Sequence, residues 1–226
     1  MRKKLREEAG LTLVEMLAAT AMLMLLVMLL GTGLQMMYNT YQTMIARSEV
    51  ELLLSTAVDA LADDLRYARN VEGNNGVHLT SGAKFSYANG RVNDDEFTYS
   101  SDSYGEKTHF WVVAGEGKDG YNADYKDQAG QIAAKGRKKD PDGNPSASEE
   151  TWLVLPTGAY GSGAVMSYKE YKVTDMTVTY NEAASGVITF TIHLTVSTTD
   201  EKISASTPDE GVTVRCLNPK TLGGGP

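Results

Sequence analysis

Three hydrophobic patterns follow one another along the chain. Residues 10 to 34, GLTLVEMLAATAMLMLLVMLLGTGL, are apolar on every face and carry one charge, Glu15. From Leu11 to Leu34 a helix would run about 36 Å, enough to cross a hydrocarbon layer of about 30 Å with some tilt. Residues 35 to 70 contain neither Pro nor Gly. There Leu54, Val58, Leu61, Leu65 and Ala68 recur at spacings of four and three, the stripe of an amphipathic helix. Asp59, Asp63, Asp64, Arg66 and Arg69 lie mostly off that stripe and are expected to face solvent or a neighbouring subunit. Leu34, Met37, Tyr41 and Ile45 draw an apolar line through the segment between, whose first charge after Glu15 is Arg47. Span and extension together predict one helix of roughly 60 residues, about 90 Å if straight. Its first half must find lipid or other helices, and its second half a sheet.

The helix is expected to end near Asn70, because NVEGNNG supplies Gly73, Asn74, Asn75 and Gly76 as turn residues. Beyond it the period changes to two. In VITFTIHLTVS, Ile188, Phe190, Ile192, Leu194 and Val196 alternate with Thr189, Thr191, His193 and Thr195, the pattern of an antiparallel strand with one wet face. Met176, Val178 and Tyr180 form its predicted hairpin partner across NEAASG. Shorter strands are predicted around Val77 to Thr80, Phe97 to Ser100, His109 to Val113 and Trp152 to Leu155, with a last one at Val212 to Leu217. The fold class read from this order is α+β: a long N-terminal helix packed on an antiparallel β-sheet. Residues 115 to 150 read as a long loop, a surface for a partner or a mobile insertion, since few of them suit a core. The tail LGGGP reads as a frayed end.

Charge narrows the classes. The net charge is −8, and without the first ten residues 17 basic face 27 acidic residues. That is the wrong sign for a body that grips nucleic acid through phosphates. The single cysteine, Cys216, cannot form an intramolecular disulfide. Val212, Val214 and Cys216 share one strand face, so Cys216 reads as a small buried apolar residue. Leader residues Arg2, Lys3, Lys4 and Arg6 favour a cytoplasmic N-terminus by the positive-inside bias, which places the body outside.

An acid within a bilayer helix costs up to about 3 kcal/mol at mid-depth, so Glu15 marks a site. The span itself holds no Lys or Arg. Cutting between Gly10 and Leu11 would create a cationic α-amine four residues from Glu15, one helical turn away on the same face. A short basic leader ending in Gly10, then a hydrophobic residue, TLVE and an unbroken apolar run, resembles the N-terminus of type IV prepilins and of the pseudopilins of type II secretion and competence systems. That resemblance covers roughly 30 residues. It implies cleavage after Gly10 by a prepilin peptidase, N-methylation of Leu11, and a Glu15 that pairs with a neighbouring subunit's amino terminus in a filament. It also implies an inner-membrane assembly platform, other pilin or pseudopilin subunits and membrane lipid as partners, and a pilin-like body. Two departures stand out. Leu11 replaces the usual Phe, and Thr32, between Gly31 and Gly33, occupies the place where major pilins commonly carry Pro. The missing Pro points to a minor subunit, and LADDLRYARNV faintly resembles J-type minor pseudopilins. Gly31 and Gly33 would each weaken the helix by about 1 kcal/mol relative to Ala, giving a place to unwind.

The division expected is a leader over 1–10, the transmembrane part of the helix over 11–34, its exported part over 35–70 and a β-rich domain over 71–226. Rival readings are an ordinary secretory signal cleaved at Gly31-Thr32-Gly33 and an uncleaved anchor, either of which would leave a secreted or anchored binding module. No metal or cofactor is expected. Asp119, Asn122, Asp124 and Asp127, or Asp140, Asp142 and Asn144, offer oxygen ligands but miss the EF-hand order, and read first as turns. GEGKDG fails the phosphate-loop pattern, because Val112 stands where its first Gly belongs and Asp119 follows Lys118. His78, His109 and His193 are scattered, with no HExxH or GxSxG pattern, so no catalysis is expected.

Overall fold

The computed structural model describes residues 13–73, 79–88, 91–93, 97–113, 130–138, 146, 148, 150–154 and 171–217. Among these residues the element order is one helix, α1 (Leu13–Arg66), followed by eleven strands, and the architecture is α+β. The chain divides into two compact units, one up to Ile45 and one from Ala46 onward.

In the second unit the last five turns of α1 lie on β-sheet. Val50, Ala57, Val58, Leu61, Ala62 and Leu65 are buried in one apolar core with residues from both sheets. This is the stripe expected from the 3.6-residue period, and each fully buried Leu adds about 1.5–3 kcal/mol. The helix stops at Arg66, four residues earlier than expected. Tyr67 and Ala68 make tighter bonds to the carbonyls of Asp64 and Leu65, and Asn70 turns into the left-handed region at φ 52, a conformation that Asn tolerates. The exposed Arg66 carbonyl is capped from far along the chain by the Leu217 N–H at 2.8 Å.

Arg69 to Gly73, read as the end of the helix and the start of a turn, form β1 (Arg69–Gly73) instead, paired with β4 (Phe97–Ser101), while Asn74, Asn75 and Gly76 lie outside the described residues. A five-stranded antiparallel sheet then runs β1-β4-β5-β6-β7, with β5 Gly105–Val112, β6 Ile132–Arg137 and β7 Glu150–Leu153. Strand β6 corrects the reading of 115–150 as one loop, since Ile132, Ala133 and Ala134 are almost fully buried in its first half. The expected strand at Val77 to Thr80 falls partly outside the described residues, and Leu79 and Thr80 are not in a strand.

The second sheet is built on the hairpin of β8 (Tyr171–Glu182) and β9 (Ile188–Thr198), the pair predicted from alternation. It continues through β2 (Lys84–Ala88) to β3 (Arg91–Asn93) on one side. On the other, β11 (Val212–Arg215) and β10 (Ser204–Ser206) pair with successive stretches of β9. A bulge between Val173 and Asp175 lets Val173 and Met176 both face the core although they stand three positions apart. The sheets meet where the Phe97 and Phe190 rings approach to 5.8 Å. They are also joined at Gly130, φ +83, whose carbonyl accepts the Val173 N–H at 2.7 Å.

Gly136 in β6 is required by close approach. A Cβ there would lie 2.4 Å from the Tyr104 carbonyl oxygen and 2.7 Å from Thr108 Oγ1. Gly136→Ala is therefore expected to cost about 1–3 kcal/mol, the usual range for overpacking. A lowered urea midpoint with an unchanged slope would show it, and an unchanged midpoint would refute the steric account.

Candidate membrane and assembly segment

From Leu13 to Tyr41 every large apolar side chain of α1 is exposed, from 55% at Tyr38 to 77% at Leu13. Among the described residues none of this surface is packed into a core, and the helix is long and apolar enough to cross a membrane. Its few polar groups are handled locally. The hydroxyls of Thr20 and Thr32 donate to the carbonyls of Leu17 and Leu29 at 2.9 and 3.0 Å. Each hydroxyl is thus satisfied within its own helix, as residence in lipid demands.

Glu15 stands in the first turn of α1, where a carboxylate is favoured by the positive end of the helix dipole. Gly10 and Leu11, the proposed processing pair, lie outside the described residues. Gly31 and Gly33 are helical and open, with no atom within 4 Å of a Cβ built on either. The helix is continuous through both, so they act here only as a lowered local propensity. After Leu34 the polar side chains turn to their own helix or to each other: Gln35 to Asn39 at 3.2 Å, Thr40 to the Met36 carbonyl, Thr43 to the Asn39 carbonyl.

Elsewhere the structure brings together groups that the sequence left apart. Asp64, expected among the solvent-facing acids, is partly buried. Its carboxylate accepts the Tyr99 hydroxyl at 2.5 Å and the Ser101 hydroxyl at 2.6 Å, pinning the helix end to β4. Burial pushes its pKa up, and the hydrogen bonds from Ser101, Tyr99 and Ser103 pull it partly back. Tyr99 is driven well above its ordinary value, first by burial and then by the Asp64 charge. Arg69 and Asp102 form an ion pair between β1 and the turn after β4. At the other end of the buried helix stretch, the Tyr171 hydroxyl donates to Glu49 and ties α1 to β8. Burial and that carboxylate raise the Tyr171 pKa.

Cys216 is 3% exposed, with its sulfur 3.0 Å from the Ala68 carbonyl. It is the small buried residue expected of it. His109 and His193 are half-buried on separate strands, while His78, GEGKDG and both calcium candidates lie outside the described residues. Among the described residues no three His, Cys, Asp or Glu side chains are grouped to hold a metal ion. No protein-family model, curated protein or solved structure matches the chain.

Proposed function

We propose that the chain is a minor pilin or pseudopilin subunit. It is cut after Gly10 and N-methylated on Leu11 by a prepilin peptidase. It then packs through its N-terminal helix into a filament of a type IV pilus, type II secretion or competence system. The observation that carries this reading is one acid, Glu15, at the fifth position after Gly10, followed by 31 residues without a charge. A basic leader before it and a β-rich body after the helix support the same reading. The partners are the peptidase, other pilin-like subunits, an inner-membrane assembly platform and lipid. Catalysis and nucleic-acid binding have no part in it. The body lies outside the cytoplasmic membrane.

Sequencing the N-terminus of protein isolated from its native host tests this directly. A modified Leu11 is the expected first residue. A start near Leu34 would replace the proposal with a secreted binding module, and an intact Met1 with an anchored one.

A further inference from the structure

The charge-free part of α1 is longer than a bilayer core needs. Between Glu15 and Arg47 no residue is ionisable as Asp, Glu, Lys or Arg, a run of about 46 Å against a hydrocarbon thickness of about 30 Å. Something other than charge must therefore set the depth at which the helix sits. Within this run Tyr38 and Tyr41 stand apart. They are the first aromatic residues of α1, three apart and so on one helix face. They are 55% and 57% exposed, in a stretch where Gln35, Asn39, Thr40, Gln42 and Thr43 replace the aliphatic run.

Their distance from Glu15 fits a bilayer. Glu15 to Tyr38 is 23 residues and to Tyr41 is 26, or about 34 and 39 Å along a helix. Both spans exceed the hydrocarbon core of about 30 Å and fall short of the full membrane thickness of about 40–45 Å. One placement thus puts the carboxylate in the inner headgroup layer and both phenol rings in the outer one. A Tyr ring suits that layer because its body is apolar and its hydroxyl takes a hydrogen bond from water or lipid.

We infer that Tyr38 and Tyr41 bind the glycerol and headgroup layer of the outer leaflet and fix the depth of α1, so that Glu15 rests at the opposite headgroup layer. This rests on the reading of the segment as a membrane span. It changes the account of Glu15. In the membrane the inner interface solvates the carboxylate, and a neighbour's amine is required only where subunits pack away from lipid.

The test uses the full-length chain, reconstituted at high dilution in vesicles of phosphatidylcholine and phosphatidylglycerol. Single Cys residues at Thr40 (Thr40→Cys) and Leu25 (Leu25→Cys) carry a fluorescent label. Cys216 is buried, and the unsubstituted chain measures its background labelling. Lipids with a nitroxide on the headgroup should quench position 40 most strongly, and lipids with a nitroxide deep in the acyl chain should quench position 25. Tyr38→Ser with Tyr41→Ser should lower headgroup quenching at position 40 by about twofold, and Trp at both places should restore it. If position 25 is quenched but position 40 is not, the span holds and the tyrosine anchor is wrong. If position 40 becomes quenched only on further dilution, a second copy of the chain is the occupant and the inference is again overturned. Quenching at position 40 that ignores the Ser pair also overturns it. Absence of quenching at position 25 removes the membrane reading itself.

Discussion

If the proposed function holds, Glu15→Ala is expected to insert in the membrane and lose its leader, yet to be depleted from filaments by about 100-fold or more. The asymmetry follows from where the charge is needed. Insertion asks only that the helix be apolar, and removing an acid makes it more so. The proposed cleavage would depend on the Gly10–Leu11 bond rather than on a side chain one helical turn later. In the packed polymer, the new amine of Leu11 would be held among Leu and Met side chains with its counter-charge deleted. An ion left uncompensated in such surroundings costs about 3–5 kcal/mol, and each 1.4 kcal/mol is about a factor of ten. Glu15→Gln keeps size and polarity, so an equal loss would assign the effect to charge. Gly10→Val supplies the opposite control, with full-length precursor expected in the membrane fraction. Immunoblots of sheared filaments against membranes give both readouts. Glu15→Ala at native level in the filaments would remove the register role, and a shortened Gly10→Val product would remove the peptidase assignment.

Legibility in the sequence tracked how far each element depends on its neighbours. The buried stripe of α1 and the β8–β9 hairpin were readable because each repeats its own period over several turns or pairs, as with Phe190, Ile192 and Leu194. Strand β1 was not, because Asn70 and Gly73 are turn formers in isolation and become strand only through β4, where Glu72 faces Thr98. Strand β6 was hidden for the opposite reason. Its Ala133, Ala134 and Gly136 are small because other chain segments press on them, and small residues without alternation read as loop. Of the candidate membrane segment, the apolar run and Glu15 were visible at once, being local facts. Asp64 was masked by its acidic neighbour Asp63 in LADDLR. Its position, three after Leu61 and four before Ala68, did place it on the flank of the stripe. Its partners stand more than thirty residues later, which no local pattern reveals.

Asp64→Ala is expected to destabilise the domain by about 2–5 kcal/mol, since it strands the Tyr99 and Ser101 hydroxyls that donate to this carboxylate. Tyr99 is 1% exposed and Ser101 7% exposed, and a buried donor without an acceptor costs about 1–3 kcal/mol. For a domain of this size, the loss corresponds to a melting temperature lower by about 4–20 °C. Asp64→Asn should cost less, because its amide oxygen still accepts one of the two hydroxyls. The two variants also differ from the native chain in pH dependence. Burial holds the Asp64 pKa above its ordinary value of 3.8 in the folded protein, so between the two values the native state binds more protons than the unfolded one. The contribution of this group to stability is therefore full below pH 3.8 and is lost as pH rises through the folded value. Both Asp64→Asn and Asp64→Ala remove that slope, while only Asp64→Ala removes the acceptor. Thermal unfolding of the full-length chain in detergent, followed across pH 3.5 to 7, separates the two effects. A native slope that persists unchanged in Asp64→Asn would assign the pH dependence to another group and leave Asp64 as a hydrogen-bond acceptor alone.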